Sequence, residues 1–289
     1  MATTAEWLEG ARLRTLPAAI APVAVGTGAA AEMGAAHAGR ALLAAGVALA
    51  LQVGVNYAND YSDGVRGTDL DRVGPMRLTA SGAARPSQVR TAAFVAFGVA
   101  ALLGLALVAL SGHWWLLAVG AVAVAAAWTY TGGRTPYGYR GLGEVGVFVF
   151  FGLVATLGTT YTQTDGVSWA AVVGAVAIGL LACALLMVNN LRDIPTDVLA
   201  GKRTLAVRLG DHRARRVYAV LVTLPIGLGA ICAFASPWAA LVLLLGFPAG
   251  VLAATVLLGA RGILLKPVLA GTGLLELGFG LVLGLGLAI

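Results

Sequence analysis

The sequence predicts an all-α polytopic membrane protein in which nine transmembrane helices surround a central cavity. Hydrophobic residues make up 59% of the 289 residues and charged residues only 11%, whereas a soluble domain carries about 25% charged residues. The mean hydropathy is +0.89, and long apolar stretches recur along the whole chain. These observations exclude a soluble protein with a large core, and we expect a single transmembrane domain over residues 1–289.

The helices are assigned from the apolar stretches, because a membrane-spanning helix needs about 20 mostly apolar residues. The first stretch is short and contains Pro17 and Pro22, with Arg12 and Arg14 before it. A cleaved signal peptide is an alternative interpretation of this stretch, although a helix retained in the mature protein is favoured. The predicted helices cover residues 16–31, 41–58, 91–110, 114–131, 145–162, 168–188, 217–235, 238–260 and 267–289.

The basic residues predict the orientation of these helices. Eighteen of the 19 Lys and Arg residues fall on one side of the membrane, and only Arg40 falls on the other. Cytoplasmic loops are rich in Lys and Arg, so the N-terminus is predicted to be cytoplasmic and the C-terminus outside. The net charge of +6 then reflects topology in the cell membrane, and we expect no nucleic-acid partner.

The two long loops, after the second and the sixth helix, are both cytoplasmic, and each begins with an acidic cluster. Carboxylates at a membrane edge are costly and indicate a functional site. The clusters read Asn56-x-x-Asn59-Asp60-x-x-Asp63 and Asn189-Asn190-x-Arg192-Asp193-x-x-x-Asp197.

The two clusters also resemble each other. Asn56-x3-Asp60 aligns with Asn189-x3-Asp193, 133 residues further on. This match is weak evidence for two related halves, about residues 1–135 and 136–289. It is better evidence that one ligand is held from two sides.

The spacing places the acids of each cluster on one helix face, provided that each helix persists that far. Pro195 lies between the two acids of the second cluster and can end or kink that helix. The residues expected to share a face are Asn56, Asp60 and Asp63, and then Asn189, Asp193 and Asp197.

This arrangement suits a Mg²⁺-bridged diphosphate. Mg²⁺ binds oxygen ligands, commonly one or two carboxylates completed by water and substrate phosphate, and nearby Lys and Arg neutralise the remaining phosphate charge. We predict that the metal ligands are Asp60, Asp63, Asp193 and Asp197, with Asn56 as a further catalytic residue. The predicted diphosphate-binding residues are Asn59, Arg66, Arg77, Asn189, Lys202 and Arg203.

Other polar residues have two possible roles each. Gln52 lies one turn before Asn56 and is a candidate for lining the cavity. Glu144 opens the fifth helix, where an acid stabilises a helix N-terminus, and a site role is the alternative. Glu276 lies inside the ninth helix, where an acid is costly. Cys183 and Cys232 have no metal-binding spacing and are interpreted as core residues.

The paired acidic motifs resemble those of the UbiA superfamily of intramembrane prenyltransferases. Asn59-Asp60-x-x-Asp63 fits the first motif of that family, but the third acidic position is Gly67, and Asp69 lies two residues later. Asp193 and Asp197 fit the second motif. Within the superfamily, four segments are similar to the enzymes that prenylate 1,4-dihydroxy-2-naphthoate in menaquinone synthesis. They cover residues 56–63, 74–82, 137–144 and 189–210.

The resemblance implies a Mg²⁺-dependent transfer of a polyprenyl group from polyprenyl diphosphate to 1,4-dihydroxy-2-naphthoate. The diphosphate leaves, the ring attacks the allylic cation, and the carboxylate is lost to give demethylmenaquinol. The active site would face the cytoplasm. Tyr130, Tyr137 and Tyr139 could then offer ring faces to the cation.

Three alternatives differ in their chemistry. Another aromatic acceptor is possible within the superfamily. A CDP-alcohol phosphotransferase shares Asp60-x-x-Asp63-Gly64, but no Ala-Arg follows and the other acids are about 130 residues away. An ion-coupled transporter has repeated halves and broken helices, but its acids are expected at the membrane midplane.

Overall fold

The protein is described from a computed structural model that covers residues 2–68 and 76–289, and every regular element in this part is a helix. The predictions that concern Asp69, Asp71 and residues 74–75 lie outside the described residues. The helices are α1 Thr4–Gly10, α2 Pro17–Glu32, α3 Ala38–Arg66, α4 Pro86–Ser111, α5 Leu116–Thr129, α6 Gly143–Thr164, α7 Trp169–Leu199, α8 Leu205–Leu209, α9 Asp211–Ile231, α10 Pro237–Leu257 and α11 Leu265–Ala288.

Seven helices of the described chain are long and apolar enough to cross a membrane, namely α3, α4, α6, α7, α9 with its 3₁₀ extension, α10 and α11 with its 3₁₀ start. The other two predicted spans are helical but shorter. α2 has 16 residues and α5 has 14, so at 1.5 Å per residue they are about 24 and 21 Å long, against a hydrocarbon core of about 30 Å. The all-helical membrane fold is confirmed, whereas the count of nine spans, their orientation and the central cavity remain predictions.

The two helices that carry the acidic clusters are longer than predicted. α3 has 29 residues and continues to Arg66, and α7 has 31 residues and continues to Leu199. Pro195 lies inside α7, which does not end there. Both acidic clusters are therefore helical as far as their last acid. The apolar residues before each cluster anchor the helix, and the cluster continues it by about two turns.

α7 is the central helix of the bundle. Ile178, Leu181 and Met187 are fully buried there and pack with residues of α2, α9 and α11. Cys183 and Cys232 are free thiols buried among the helices, as predicted. In contrast to α7, α10 has exposed apolar side chains. Leu244 and Phe247 are 74% and 81% exposed, as expected of lipid-facing side chains.

Glycine allows α2 and α11 to cross at very short range. A Cβ atom on Gly28 would lie 2.5 Å from the Cα atom of Gly284, and a Cβ atom on Gly280 would lie 2.6 Å from the Cα atom of Ala21. Small residues at a crossing let two membrane helices approach until their backbones touch. This crossing holds α11 against α2.

Gly28→Ala is expected to lower stability by about 1–3 kcal/mol, the usual cost of forcing a methyl group into a packed interface. The cost arises because the added Cβ meets the backbone of Gly284 rather than a flexible side chain. Thermal unfolding in detergent measures it. Gly98→Ala is the matched control, since a Cβ there has open space around it and alanine favours helix. Equal melting temperatures for the two variants would contradict the close crossing.

Candidate functional site

The first acidic cluster lies on the inner face of α3. Asn56, Asp60 and Asp63 are all buried there, and the helix continues past them, so they do share a face. Asp60 is fully buried, which is costly for a carboxylate unless it is hydrogen-bonded or paired. The hydrogen-bond donors around each carboxylate therefore determine whether it can also bind a cation.

Asp60 is held by the loop that follows the first cluster. The backbone N–H of Leu78 donates to one carboxylate oxygen at 2.8 Å and that of Thr79 donates to the other at 2.9 Å. Leu78 is fully buried, and Gly64 leaves room for Thr79, because a Cβ atom on Gly64 would lie 2.5 Å from Thr79 Cβ. A carboxylate accepts about four hydrogen bonds or metal bonds, so Asp60 can anchor this loop and still bind a cation.

Asn56 and Gln52 face the N-terminal segment. The Asn56 amide donates to the Ala11 carbonyl oxygen at 2.9 Å and to the Thr15 hydroxyl oxygen at 3.0 Å, and the Gln52 amide donates to the same hydroxyl at 2.8 Å. The Thr15 hydroxyl in turn donates to the Arg12 carbonyl at 2.9 Å. Asn56 and Gln52 therefore also hold the N-terminal segment in place, a structural role that the sequence did not reveal. Their predicted roles in catalysis and cavity lining stay predictions.

Asp63 contacts two residues that lie far away along the chain. The Tyr139 hydroxyl donates a short hydrogen bond to one oxygen of Asp63, and the Lys202 ammonium lies 3.4 Å from the other. The same ammonium lies 4.7 Å from the centre of the Tyr139 ring. Burial, reinforced by the Asp63 carboxylate, raises the pKa of Tyr139 well above its usual value, so the phenol is protonated at neutral pH and acts as the donor.

The second cluster is held by its own neighbours. Arg192 binds Asp193 with both ends of its guanidinium, at 2.6 and 2.7 Å, and also donates to the Asn189 side-chain oxygen at 2.9 Å. The Thr204 hydroxyl lies 3.5 Å from an Asp197 carboxylate oxygen. Asp197 also accepts the backbone N–H of Lys202 through its carbonyl, at 2.8 Å. The turn that presents the Lys202 ammonium to Asp63 is therefore built on the end of α7.

The remaining residues predicted to bind diphosphate differ in how far their side chains are already hydrogen-bonded or buried. Arg66 donates to the carbonyl oxygens of Thr131 and Gly133, and Asn59 accepts the Thr131 hydroxyl at 2.7 Å, so both hold the loop after α5. Arg203 has an exposed side chain, and its backbone N–H donates to the Tyr139 carbonyl at 2.9 Å. Arg77 is buried beside the Asp60 loop.

Of the three predicted aromatic residues, Tyr139 lies beside Asp63 and Lys202. Tyr130 and Tyr137 pack edge to face with ring centres 5.4 Å apart. Gly146 makes room for the Tyr137 ring, because a Cβ atom there would lie 2.8 Å from its hydroxyl. Burial raises the pKa of Tyr137 to about 12, so it too is neutral at physiological pH.

The donor set fits a hard divalent cation. Within residues 2–68 and 76–289, no three His, Cys, Asp or Glu side chains lie close enough together to hold a metal ion on their own. Mg²⁺ commonly uses only one or two carboxylates and takes substrate phosphate for the rest of its shell. The Lys202 ammonium lies 3.4 Å from an Asp63 oxygen, so this acid already faces a positive charge. Asp60, Asp63, Asp193 and Asp197 thus remain the predicted ligands.

Two further buried acids lie outside the clusters, on α6 and α11. Glu144 is 7% exposed and accepts a hydrogen bond from the Asn190 amide at 3.3 Å, which favours a role beyond that of a helix-capping acid. Glu276 is fully buried, and neither of its carboxylate oxygens has a hydrogen-bond partner among the described residues. The sequence analysis singled out both acids but did not predict that Asn190 binds Glu144 or that Arg192 binds Asp193. Neither a contact between distant residues nor one between neighbours in sequence leaves a spacing pattern.

The chain has clear relatives. A sequence model of the UbiA prenyltransferase family matches residues 19–284. The chain is 54% identical to the 1,4-dihydroxy-2-naphthoate octaprenyltransferase of Mycobacterium tuberculosis (strain ATCC 25618 / H37Rv), over 100% of this chain and 98% of that protein. The similarity therefore spans both acidic clusters.

Solved structures share the fold at lower identity. The apo structure of a UbiA homolog from Aeropyrum pernix K1 has a TM-score of 0.70 at 18% identity, covering 93% of this chain and 96% of that one. The structure of a UbiA homolog from Archaeoglobus fulgidus bound to GPP and Mg²⁺ has a TM-score of 0.69 at 14% identity, covering 98% and 99%. These likenesses show that the helices are arranged as in those proteins.

Proposed function

The chain belongs to the UbiA prenyltransferase family, and on that premise we propose that it transfers a polyprenyl group from polyprenyl diphosphate to 1,4-dihydroxy-2-naphthoate. The observation that carries this proposal is the contact at Asp63, where Lys202, which follows the second acidic cluster, meets an acid of the first. An acid of one cluster beside a cation that follows the other suits a diphosphate held by metal and basic side chains. The full-length similarity to a naphthoate prenyltransferase supports the acceptor.

In this mechanism the chain's own residues hold the diphosphate at the membrane edge. Asp60, Asp63, Asp193 and Asp197 would hold Mg²⁺, which when bound stabilises the negative charge that develops on the leaving diphosphate. Lys202, whose ammonium lies 3.4 Å from Asp63, would neutralise the phosphate oxygens that remain, with Arg203 and Arg77 as further candidates. The Asp60 carboxylate keeps the loop carrying Arg77 in place through the amides of Leu78 and Thr79.

The overall reaction breaks the C–O bond between the prenyl group and the diphosphate and forms a C–C bond to the naphthoate ring. The ring carboxylate leaves as carbon dioxide, and the product is demethylmenaquinol, a step of menaquinone synthesis. An allylic cation reacts with water, so the site must exclude it. The apolar bundle below the acids supplies that environment, and the Tyr139 ring beside Lys202 offers a π face at its rim.

We further propose that the enzyme lies in the cell membrane with its N-terminus and active site toward the cytoplasm and its C-terminus outside. The basic residues support this, since they lie at the same membrane edge as the acidic clusters. Arg40, at the other edge, donates to the carbonyl oxygens of Leu110 and Thr162 at 2.7 and 2.9 Å. These bonds satisfy its donors where the positive-inside rule would disfavour a free cation.

A purified-enzyme assay tests the function. A prenyl diphosphate and 1,4-dihydroxy-2-naphthoate are supplied with and without Mg²⁺, and carbon dioxide and prenylated product are measured by mass spectrometry. Mg²⁺-dependent product is the expected result. Product only with another acceptor, such as 4-hydroxybenzoate or homogentisate, would overturn the naphthoate assignment. No product with any acceptor, but substrate flux in sealed vesicles, would favour the transporter.

A further inference from the structure

Glu144 is an acid that the proposed diphosphate site does not use. It lies in the first turn of α6, yet its side chain is buried and accepts the Asn190 amide of α7 at 3.3 Å. Among the described residues no Lys or Arg pairs with it. A buried carboxylate whose partner is a neutral amide retains capacity to accept further hydrogen bonds.

The position of this pair relative to the diphosphate site follows from α7. Asn190 precedes Asp193 by three residues, so it lies near the same face and about 4.5 Å further toward the membrane interior. The prenyl carbon that reacts is attached to the diphosphate and continues into an apolar tail. The acceptor ring must therefore reach the carbon next to the diphosphate, and the Glu144–Asn190 pair lies about one helical turn from the predicted metal ligand Asp193.

The side chains of Gln52 and Asn56 on the first-cluster face are held by the N-terminal segment, because their amides donate to Thr15 and Ala11. The Gln52 side-chain oxygen is buried without a hydrogen-bond partner among the described residues, but no printed contact joins Gln52 to the second cluster. A dihydroxy aromatic acceptor needs a group that accepts a hydrogen bond close to both clusters. Glu144 meets that need.

We infer that Glu144 binds the aromatic acceptor by accepting a hydrogen bond from a ring hydroxyl, while Asn190 is a positioning residue that holds the carboxylate. This inference rests on the proposed function. In 1,4-dihydroxy-2-naphthoate the 1-hydroxyl is adjacent to the ring carboxylate and satisfies it internally. The 4-hydroxyl is the free donor, and its hydrogen bond to a Glu144 carboxylate oxygen increases the electron density of the ring that attacks the cation.

Glu144→Gln tests the inference, because glutamine keeps the shape and can still accept the Asn190 amide. We expect the KM for 1,4-dihydroxy-2-naphthoate to rise by about tenfold, since a hydrogen bond to a charged group is replaced by a weaker neutral one. The KM for the prenyl diphosphate should stay within about twofold. Asn190→Ala should raise the acceptor KM in the same selective way but by less.

An acceptor analogue gives the sharper comparison. The competitor 1-hydroxy-2-naphthoate lacks the 4-hydroxyl, so the wild type should bind it about tenfold more weakly than the dihydroxy compound, and Glu144→Gln should bind the two alike. Asp165→Asn, which neutralises an exposed acid paired with His113, is the control and should change neither value.

The outcomes separate this inference from the function it rests on. A wild-type enzyme that does not prenylate the naphthoate overturns the proposed function. An active wild type whose Glu144→Gln variant keeps both the acceptor KM and the preference for the 4-hydroxyl overturns the inference alone. A rise in both KM values by the same factor would likewise overturn it, because that result reports a structural role. If Glu144→Gln does not fold, the analogue preference measured in Asn190→Ala decides.

Discussion

Asp60→Ala is expected to lower kcat by about a thousandfold or more. Asp60 is fully buried on the shared face of α3, and both of its oxygens already accept backbone amides of the following loop. The substitution removes a predicted metal ligand and the anchor of the loop that carries Arg77. A thousandfold corresponds to about 4 kcal/mol of transition-state stabilisation, which is within the several kcal/mol that a metal site supplies.

Asp60→Asn separates these two roles. Asparagine keeps one oxygen for a loop amide but loses the charge, so stability should fall less than in Asp60→Ala while turnover is lost to the same extent. Prenyl transfer and melting temperature in detergent, each with and without Mg²⁺, measure both effects. Ser62→Ala is the matched control, because Ser62 is buried on the same helix and should leave activity within about twofold. An Asp60→Asn enzyme with near-normal turnover would remove Asp60 from the metal site.

The sequence predicted the all-helical fold and the shared face of the first cluster, because both follow from local spacing. The acids at four- and three-residue intervals on α3 face inward once the helix continues to Arg66. The extension of α7 past Pro195 was not predicted, since proline weakens a helix locally and the packing that overrides it is tertiary. Local rules therefore located the clusters but not the full length of their helices.

The contacts of the site could not be predicted, because they join residues far apart in the chain. Asn56 meets Thr15 across 41 residues, and Tyr139 meets Asp63 across 76. The cation chemistry that the resemblance implies made three tyrosines candidates, and only tertiary packing shows that Tyr139 lies beside Asp63 and Lys202. The grouping of Glu144 with Asn190 likewise depends on how α6 packs on α7.

Asp193→Asn is the second substitution expected to abolish turnover, again by about a thousandfold in kcat. Here stability must be separated from chemistry, because Arg192 binds Asp193 with two hydrogen bonds and both side chains are buried. Removing one partner of a buried ion pair leaves the other charge uncompensated and costs about 3–5 kcal/mol. A loss of activity in the single variant alone would therefore be ambiguous.

The double variant Arg192→Met with Asp193→Asn resolves this. Removing both charges should restore most of the melting temperature, because the unpaired guanidinium is gone, and the remaining cost is that of the lost contacts. Turnover should stay lost, because residue 193 still offers Mg²⁺ a neutral amide in place of a carboxylate. Recovery of prenyl transfer in the double variant would mean that Asp193 serves only to pair with Arg192, and the second acidic cluster would then contribute to the metal site through Asp197 alone.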